Sequence, residues 1–214
     1  NLDHFKLLKS VFDKDLYKSE NKKLLSKLIN LTKNKSTSIK SQLYQDIFAS
    51  FIVGDKFDKT FLEFGATDGF EYSNSYMLEN LLSWNGVLSE PSPQWQDSLK
   101  KNRIKSKIIT KCIWTKTDEK LDFFVSDVGV LSTIKDFIES DKSSVPANTK
   151  QRVEKGKIVS VETISLNDVV INYFNGKAPS YISIDTEGSE YEILKSFRFD
   201  YYRPKVFTIE HNFT

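Results

Sequence analysis

Thr60-Phe-Leu-Glu-Phe-Gly65-Ala-Thr-Asp-Gly69 is the stretch on which the reading of this chain turns. Thr60–Phe64 is a short apolar run stopped by glycine, the pattern of a buried strand. Gly65 and Gly69 allow a tight turn and a close backbone approach to a ligand. Outward from this stretch, short apolar runs alternate with helical ones. Gly86–Leu88 reads as a second strand ending at Glu90-Pro91, Lys107–Trp114 as a third, and Leu121–Val125 as its hairpin partner. Tyr181–Asp185 and Val206–Glu210 read as the last two strands. Tyr76–Leu82, Trp95–Lys101 and Glu190–Phe197 have helical spacing, and Ser165-Leu-Asn-Asp168 has the spacing of a helix cap. This alternation predicts an α/β fold, a doubly wound and mostly parallel sheet covered on both faces.

Upstream of residue 58 the pattern is helical, with Lys33–Ser41 a polar break between the second and third helices. Phe5, Leu8, Val11 and Phe12, then Leu24, Leu25, Leu28 and Ile29, then Leu43, Ile47, Phe48 and Phe51 recur at helical intervals. Residues 1–57 are therefore expected to form an N-terminal helical segment and residues 58–214 the α/β domain. Ser126–Lys157 is long, polar and weakly periodic, which fits either a lid over a site or a surface excursion.

The 214-residue length suits one domain with an appendage. A net charge of +2 gives no global field to attract nucleic acid or anionic lipid. The single cysteine, Cys112, rules out an internal disulfide framework and a multi-cysteine metal site, and fits a reducing, cytoplasmic setting. No apolar run reaches the roughly 18 residues of a membrane span.

Ligands of open parallel sheets bind beyond the carboxyl ends of the strands. Here those ends carry Glu63 with Gly65, Glu90, Asp185 with Glu187, and Glu210 with His211. Carboxylates gathered at one edge repel one another unless a cation or hydrogen-bond donor sits among them. Glu90, the acid that ends the second strand, stands where doubly wound folds recognise ribose hydroxyls, so a nucleoside ligand is expected. Asp185, Glu187, Glu210 and His211 have no tight metal-ligand spacing, and no metal is assigned.

The strings TFLEFGATDGFEYSNSYMLEN (60–80), WNGVLSEPSP (84–93), KNR (101–103), YISIDTEGSEYEILKSF (181–197) and FTIEHN (207–212) resemble the FkbM-type S-adenosylmethionine-dependent methyltransferases, as does SQLYQD (41–46). The resemblance covers roughly Ser41 to the end. It implies a Rossmann-like class I methyltransferase sheet, S-adenosylmethionine as cofactor, and methylation of a hydroxyl on a sugar, glycan or small metabolite. By this resemblance Glu63, Gly65, Ala66 and Gly69 would frame the methionine end of the cofactor. Asp68 and Asn74 would be polar partners there, Glu90 would hold the ribose, and the adenine would lie near Ile113. Asp185, Glu187 and His211 would face the acceptor. Family members often read Asn where Thr67 stands. A complete class I sheet also has two strands beyond Val206–Glu210, so the domain is expected to be truncated, with an exposed edge open to a second copy of the chain.

Taking a proton from an alcohol calls for a base within hydrogen-bond reach, and Asp185 and His211 are the candidates. Two other readings compete. A nicotinamide-dependent oxidoreductase needs a tighter three-glycine loop, which is missing. A non-catalytic relative predicts lost acids at the strand ends, and they are present.

Overall fold

The computed structural model describes residues 37–127, 129–140, 146–154 and 156–210. The two helices expected before residue 37, and His211, lie outside the described residues.

The strand expected at residue 60 is β1 (Thr60–Phe64), the central strand of a five-stranded parallel sheet. It lies between β2 (Asn85–Ser89) and β8 (Tyr181–Ile184). β3 (Lys107–Ile109) and β9 (Val206–Ile209) form the edges, giving the order β3-β2-β1-β8-β9. Side chains alternate across the sheet as the pleat requires. Phe61, Leu88, Tyr181 and Val206 pack into one apolar layer with Ile47, Phe51, Met77 and Leu99. These last four come from α1 (Gln45–Val53), α2 (Tyr76–Asn80) and α3 (Gln96–Asn102). Leu62, Phe64, Val87, Ile182 and Ile184 face the opposite layer, which holds Leu166, Val169, Val170, Ile193 and Phe197. α5 (Leu166–Phe174) and α6 (Glu190–Ser196) supply most of that layer. Burial on both faces explains why these strands read as continuous apolar runs. The cap before α5 forms as its spacing predicts: Ser165 Oγ accepts the Asp168 N–H at 3.0 Å.

The third strand departs from expectation. Lys107–Trp114 is two strands, because the chain leaves the main sheet after Ile109 and enters a second sheet as β4 (Cys112–Trp114). Glu90 N–H and Ser89 Oγ stitch the break, donating to Ile109 O at 3.0 Å and Lys111 O at 2.9 Å. β5 (Lys120–Ser126) is not a hairpin partner of β4. It pairs antiparallel with β6 (Thr133–Ile134) and β7 (Gly156–Ser165), and β4 lies beside β7. The polar stretch 126–157 thus holds β6, a short 3-10 turn at Lys135–Phe137, α4 (Pro146–Glu154) and the start of β7. No helix among the described residues is long and apolar enough to cross a membrane.

Candidate functional site

All strands of the main sheet run the same way, so the residues that follow them meet at one edge. A cavity of about 330 Å³ opens there. Its walls include Glu63 and Phe64 at the end of β1 with Gly65 to Thr67 after it, Glu90 after β2, Asp185 to Glu187 after β8, and Glu210 after β9. Asn74, Cys112, Ile113, Phe123, Ile134 and the segment Gly129–Ser132 also line it, so part of the 126–157 stretch borders the site. Among the described residues no lysine, arginine or histidine borders it.

Gly65 sets the geometry of the floor. With φ of +78°, it passes so close to β8 that an added Cβ would stand 1.6 Å from the Asp185 carbonyl oxygen. Thr67 follows at φ +47°, unusual for a β-branched residue, and its N–H donates to Glu90 Oε2 at 2.8 Å. Glu90 Oε1 accepts the Ser92 N–H, also at 2.8 Å. The Glu90 carboxyl thus ties the first turn to the end of β2. Burial pushes its pKa up to about 7, with the two N–H donors opposing that shift.

Glu63 is buried beneath the same edge. It accepts the Asn74 N–H at 2.7 Å and the Ser73 hydroxyl at 3.0 Å, and also binds Ser75 Oγ. Arg103, wholly buried, lies 3.7 Å from it and donates to Glu79 at 2.9 Å. Glu63 and Arg103 therefore fix the 73–75 turn, which presents Asn74. Asn74 Nδ2 donates to Ser183 Oγ at 2.9 Å, leaving its buried Oδ1 with no hydrogen-bond partner.

Asp68 and Gly69 do not border the cavity. Asp68 Oδ1 accepts from Phe70 N–H and Glu71 N–H at 2.8 and 2.9 Å, which folds the turn behind the site. Gly69 lies against α3, where an added Cβ would come within 2.5 Å of Leu99 and 2.6 Å of Arg103.

Asp185, Glu187 and Glu210 converge, each offering a carboxylate oxygen within 4.8 Å of the others. Burial raises the Asp185 pKa, and the charges of Glu187, Glu190 and Glu63 add to that, while its hydrogen bond with Glu210 opposes it. Glu210 is raised further, first by burial and then by the Asp185 charge. One proton held between the two, mainly on Glu210, follows from this arrangement. Glu187 is ion-paired to Arg152 of α4. Arg152 had no sequence signal, because it lies far along the chain in a polar stretch. Arg103 had one, being the last residue of the KNR string.

No curated protein and no solved structure matches the chain. The family model described as the methyltransferase FkbM domain matches residues 63–214, a span that takes in the strand-end residues from Glu63 to Glu210. That match extends over more than half of the sequence, and the chain belongs to the FkbM methyltransferase domain family.

Proposed function

We propose that this chain is an S-adenosylmethionine-dependent O-methyltransferase acting on a hydroxyl of a sugar, glycan or small metabolite. The observation that carries this reading is the cavity over the strand ends, where the Gly65 turn, Glu90 and Asp185 meet. The order β3-β2-β1-β8-β9, with helices on both faces, supports treating the sheet as doubly wound and Rossmann-like. Family membership supports the reaction class.

The residues present fit such a cofactor. Asn74 Oδ1 is a buried acceptor in want of a donor, which a ligand ammonium or hydroxyl provides. Glu90, with each oxygen already accepting one N–H, keeps lone pairs to accept ribose hydroxyls. Gly65 and Ala66, with Glu63 behind them, would frame the methionine end, and Ile113 would offer apolar surface to the adenine. Asp68 and Gly69 would support that turn from behind. When bound, S-adenosylmethionine supplies a methyl carbon on a sulfonium, open to in-line displacement.

The chain's own contribution is then orientation and proton transfer. Asp185, sharing a proton with Glu210, takes the proton of the acceptor hydroxyl on its ionised oxygen. Glu187 would accept hydrogen bonds from neighbouring acceptor hydroxyls, and His211, next to Glu210 in the chain, is a second base in this reading. Holding the acceptor oxygen at near-attack distance supplies most of the rate.

Calorimetry with S-adenosylmethionine and S-adenosylhomocysteine, with NAD as control, tests the reading. Both sulfur compounds should bind and NAD should not. Glu90→Ala should weaken binding by about 1.5–3 kcal/mol, and Asp185→Asn should leave it intact. NAD binding in their place refutes the proposal.

A further inference from the structure

Arg152 is wholly buried, although it comes from one of the most polar parts of the chain. Its Nε donates to Leu131 O at 2.9 Å, its Nη1 to Ile138 O at 3.4 Å, and its Nη2 pairs with Glu187. Neighbours in the same inserted segment hold the turn after β8 by its backbone. Thr133 Oγ1 lies 3.2 Å from Thr186 O and 3.0 Å from Glu187 O, and Ser140 Oγ donates to Glu187 O at 3.1 Å. Glu187 itself is at φ +59°, a left-handed conformation that a glutamate keeps only when its surroundings impose it.

Charge explains why the contact lies here. Asp185, Glu187 and Glu210 crowd together, and Glu63 of β1 and Glu190 of α6 add negative potential. A trio of oxygen ligands at this spacing is what a hard divalent ion takes. In this chain a guanidinium already occupies the third carboxylate, and its planar fork binds carbonyls of the 131–138 segment at the same time.

We propose that Arg152 is a positioning residue of this site: through Glu187 it gives the carboxylate trio the counter-charge a divalent ion would otherwise supply, and it locks the 131–138 segment, part of which lines the cavity, onto the 186–188 turn. The functional consequence rests on the methyltransferase reading, whereas the charge assignment does not. With the trio compensated from within, the cavity mouth stays free for the acceptor.

The test uses Mn²⁺ as the probe, followed by electron paramagnetic resonance, together with carbon-13 carboxyl titration of the Asp185–Glu210 pair. Wild type should leave millimolar Mn²⁺ free in solution. Arg152→Met should gain Mn²⁺ binding at the trio, and its pair should titrate about one pH unit higher. Arg152→Lys, which keeps the charge, should restore the wild-type titration. Should Arg152→Met fail to fold, Arg152→Gln serves instead: it removes the charge but keeps a donor that can reach the Leu131 carbonyl, and the pair should again titrate higher. Mn²⁺ binding to the trio in wild type overturns the proposal, and so does an unchanged titration in whichever folded variant is read. Binding of S-adenosylhomocysteine, measured alongside on wild type, judges the methyltransferase reading separately.

Discussion

Glu90 allows a quantitative test, because its environment opposes the charge its proposed role requires. Burial holds its pKa at about 7, yet a carboxylate accepts from two ribose hydroxyls only when ionised. Protonation turns one accepting oxygen into a donor and removes one charge-assisted bond. Apparent affinity then scales with the ionised fraction, about nine-tenths at pH 8 and one-tenth at pH 6. S-adenosylhomocysteine should bind about tenfold more weakly at pH 6 than at pH 8, or ~1.4 kcal/mol. Near pH 7, binding should release about half a proton, which calorimetry in buffers of different ionisation enthalpy reads directly. Glu90→Gln cannot ionise, and its NH₂ must face either the Thr67 or the Ser92 N–H, so its binding should be weak and nearly flat with pH in this range. The ligand's own amino group titrates in both proteins and cancels in the comparison. Folding stability should run the other way. A carboxyl raised from 4.5 to about 7 stabilises the fold fully below pH 4.5, and that contribution, about 3 kcal/mol at most, is lost as pH rises through 7. Parallel pH profiles for wild type and Glu90→Gln would refute the ribose assignment.

Three further outcomes are expected. Gly65→Ala should destabilise the fold by roughly 3 kcal/mol or more and abolish cofactor binding, since the new methyl would collide with the Asp185 carbonyl oxygen; a variant with wild-type melting and binding would contradict the close approach. Asp46 is buried, with Oδ1 bound to Ser41 Oγ and the Ile47 N–H, with Oδ2 unpartnered, and with its pKa raised by burial to about 7. Its contribution is therefore full below about pH 4 and lost as pH rises through 7. Asp46→Asn should gain on wild type by up to about 4 kcal/mol between pH 4 and pH 8.5 in urea melts, and a pH-independent difference would sink the argument. Thr67→Asn replaces a β-branched residue at φ +47° with one that tolerates this conformation, and should raise stability by about 1 kcal/mol; a lower melting temperature would show that the Thr67 side chain has a role the backbone does not reveal.

The legible parts of this chain were those whose signal is local. β1, β2 and β8 announce themselves because burial on both faces favours apolar runs, β9 is legible from its apolar residues alone, and the residue after each run marks the sheet edge without any tertiary knowledge. The second sheet was hidden for the opposite reason. The first half of β7 is mostly exposed, Ile158 included, so it merges with the polar stretch before it. The break after Ile109 was invisible because Ile108 and Ile109 on one side and Cys112 and Ile113 on the other are all apolar, and they pack in different sheets without changing the pattern. Asp68 shows the limit of reading a motif as a wall: it lies within the glycine turn, but its carboxylate is consumed by the N–H groups of that turn.

Electrostatic support of the site was hardest to read, and it follows one rule in two places. Lysine far outnumbers arginine in this sequence, yet among the described residues the wholly buried cations are Arg103 and Arg152. Each meets an acid at or just beyond the end of a central strand, Glu63 of β1 and Glu187 after β8, and each also binds backbone carbonyls of a neighbouring segment. A lysine ammonium is a strongly hydrated point charge, costly to bury, and its donors cannot reach such spread acceptors in one plane. The guanidinium compensates the carboxylate and positions the adjoining turn in a single side chain. Under the proposed reading, the carboxylates that must stay ionised or share a proton at the cavity are thereby backed by charges kept out of reach of its contents. Arg103 does this beneath the cofactor turn, where Glu63 and Glu79 share it, and Arg152 does it beneath the acceptor turn.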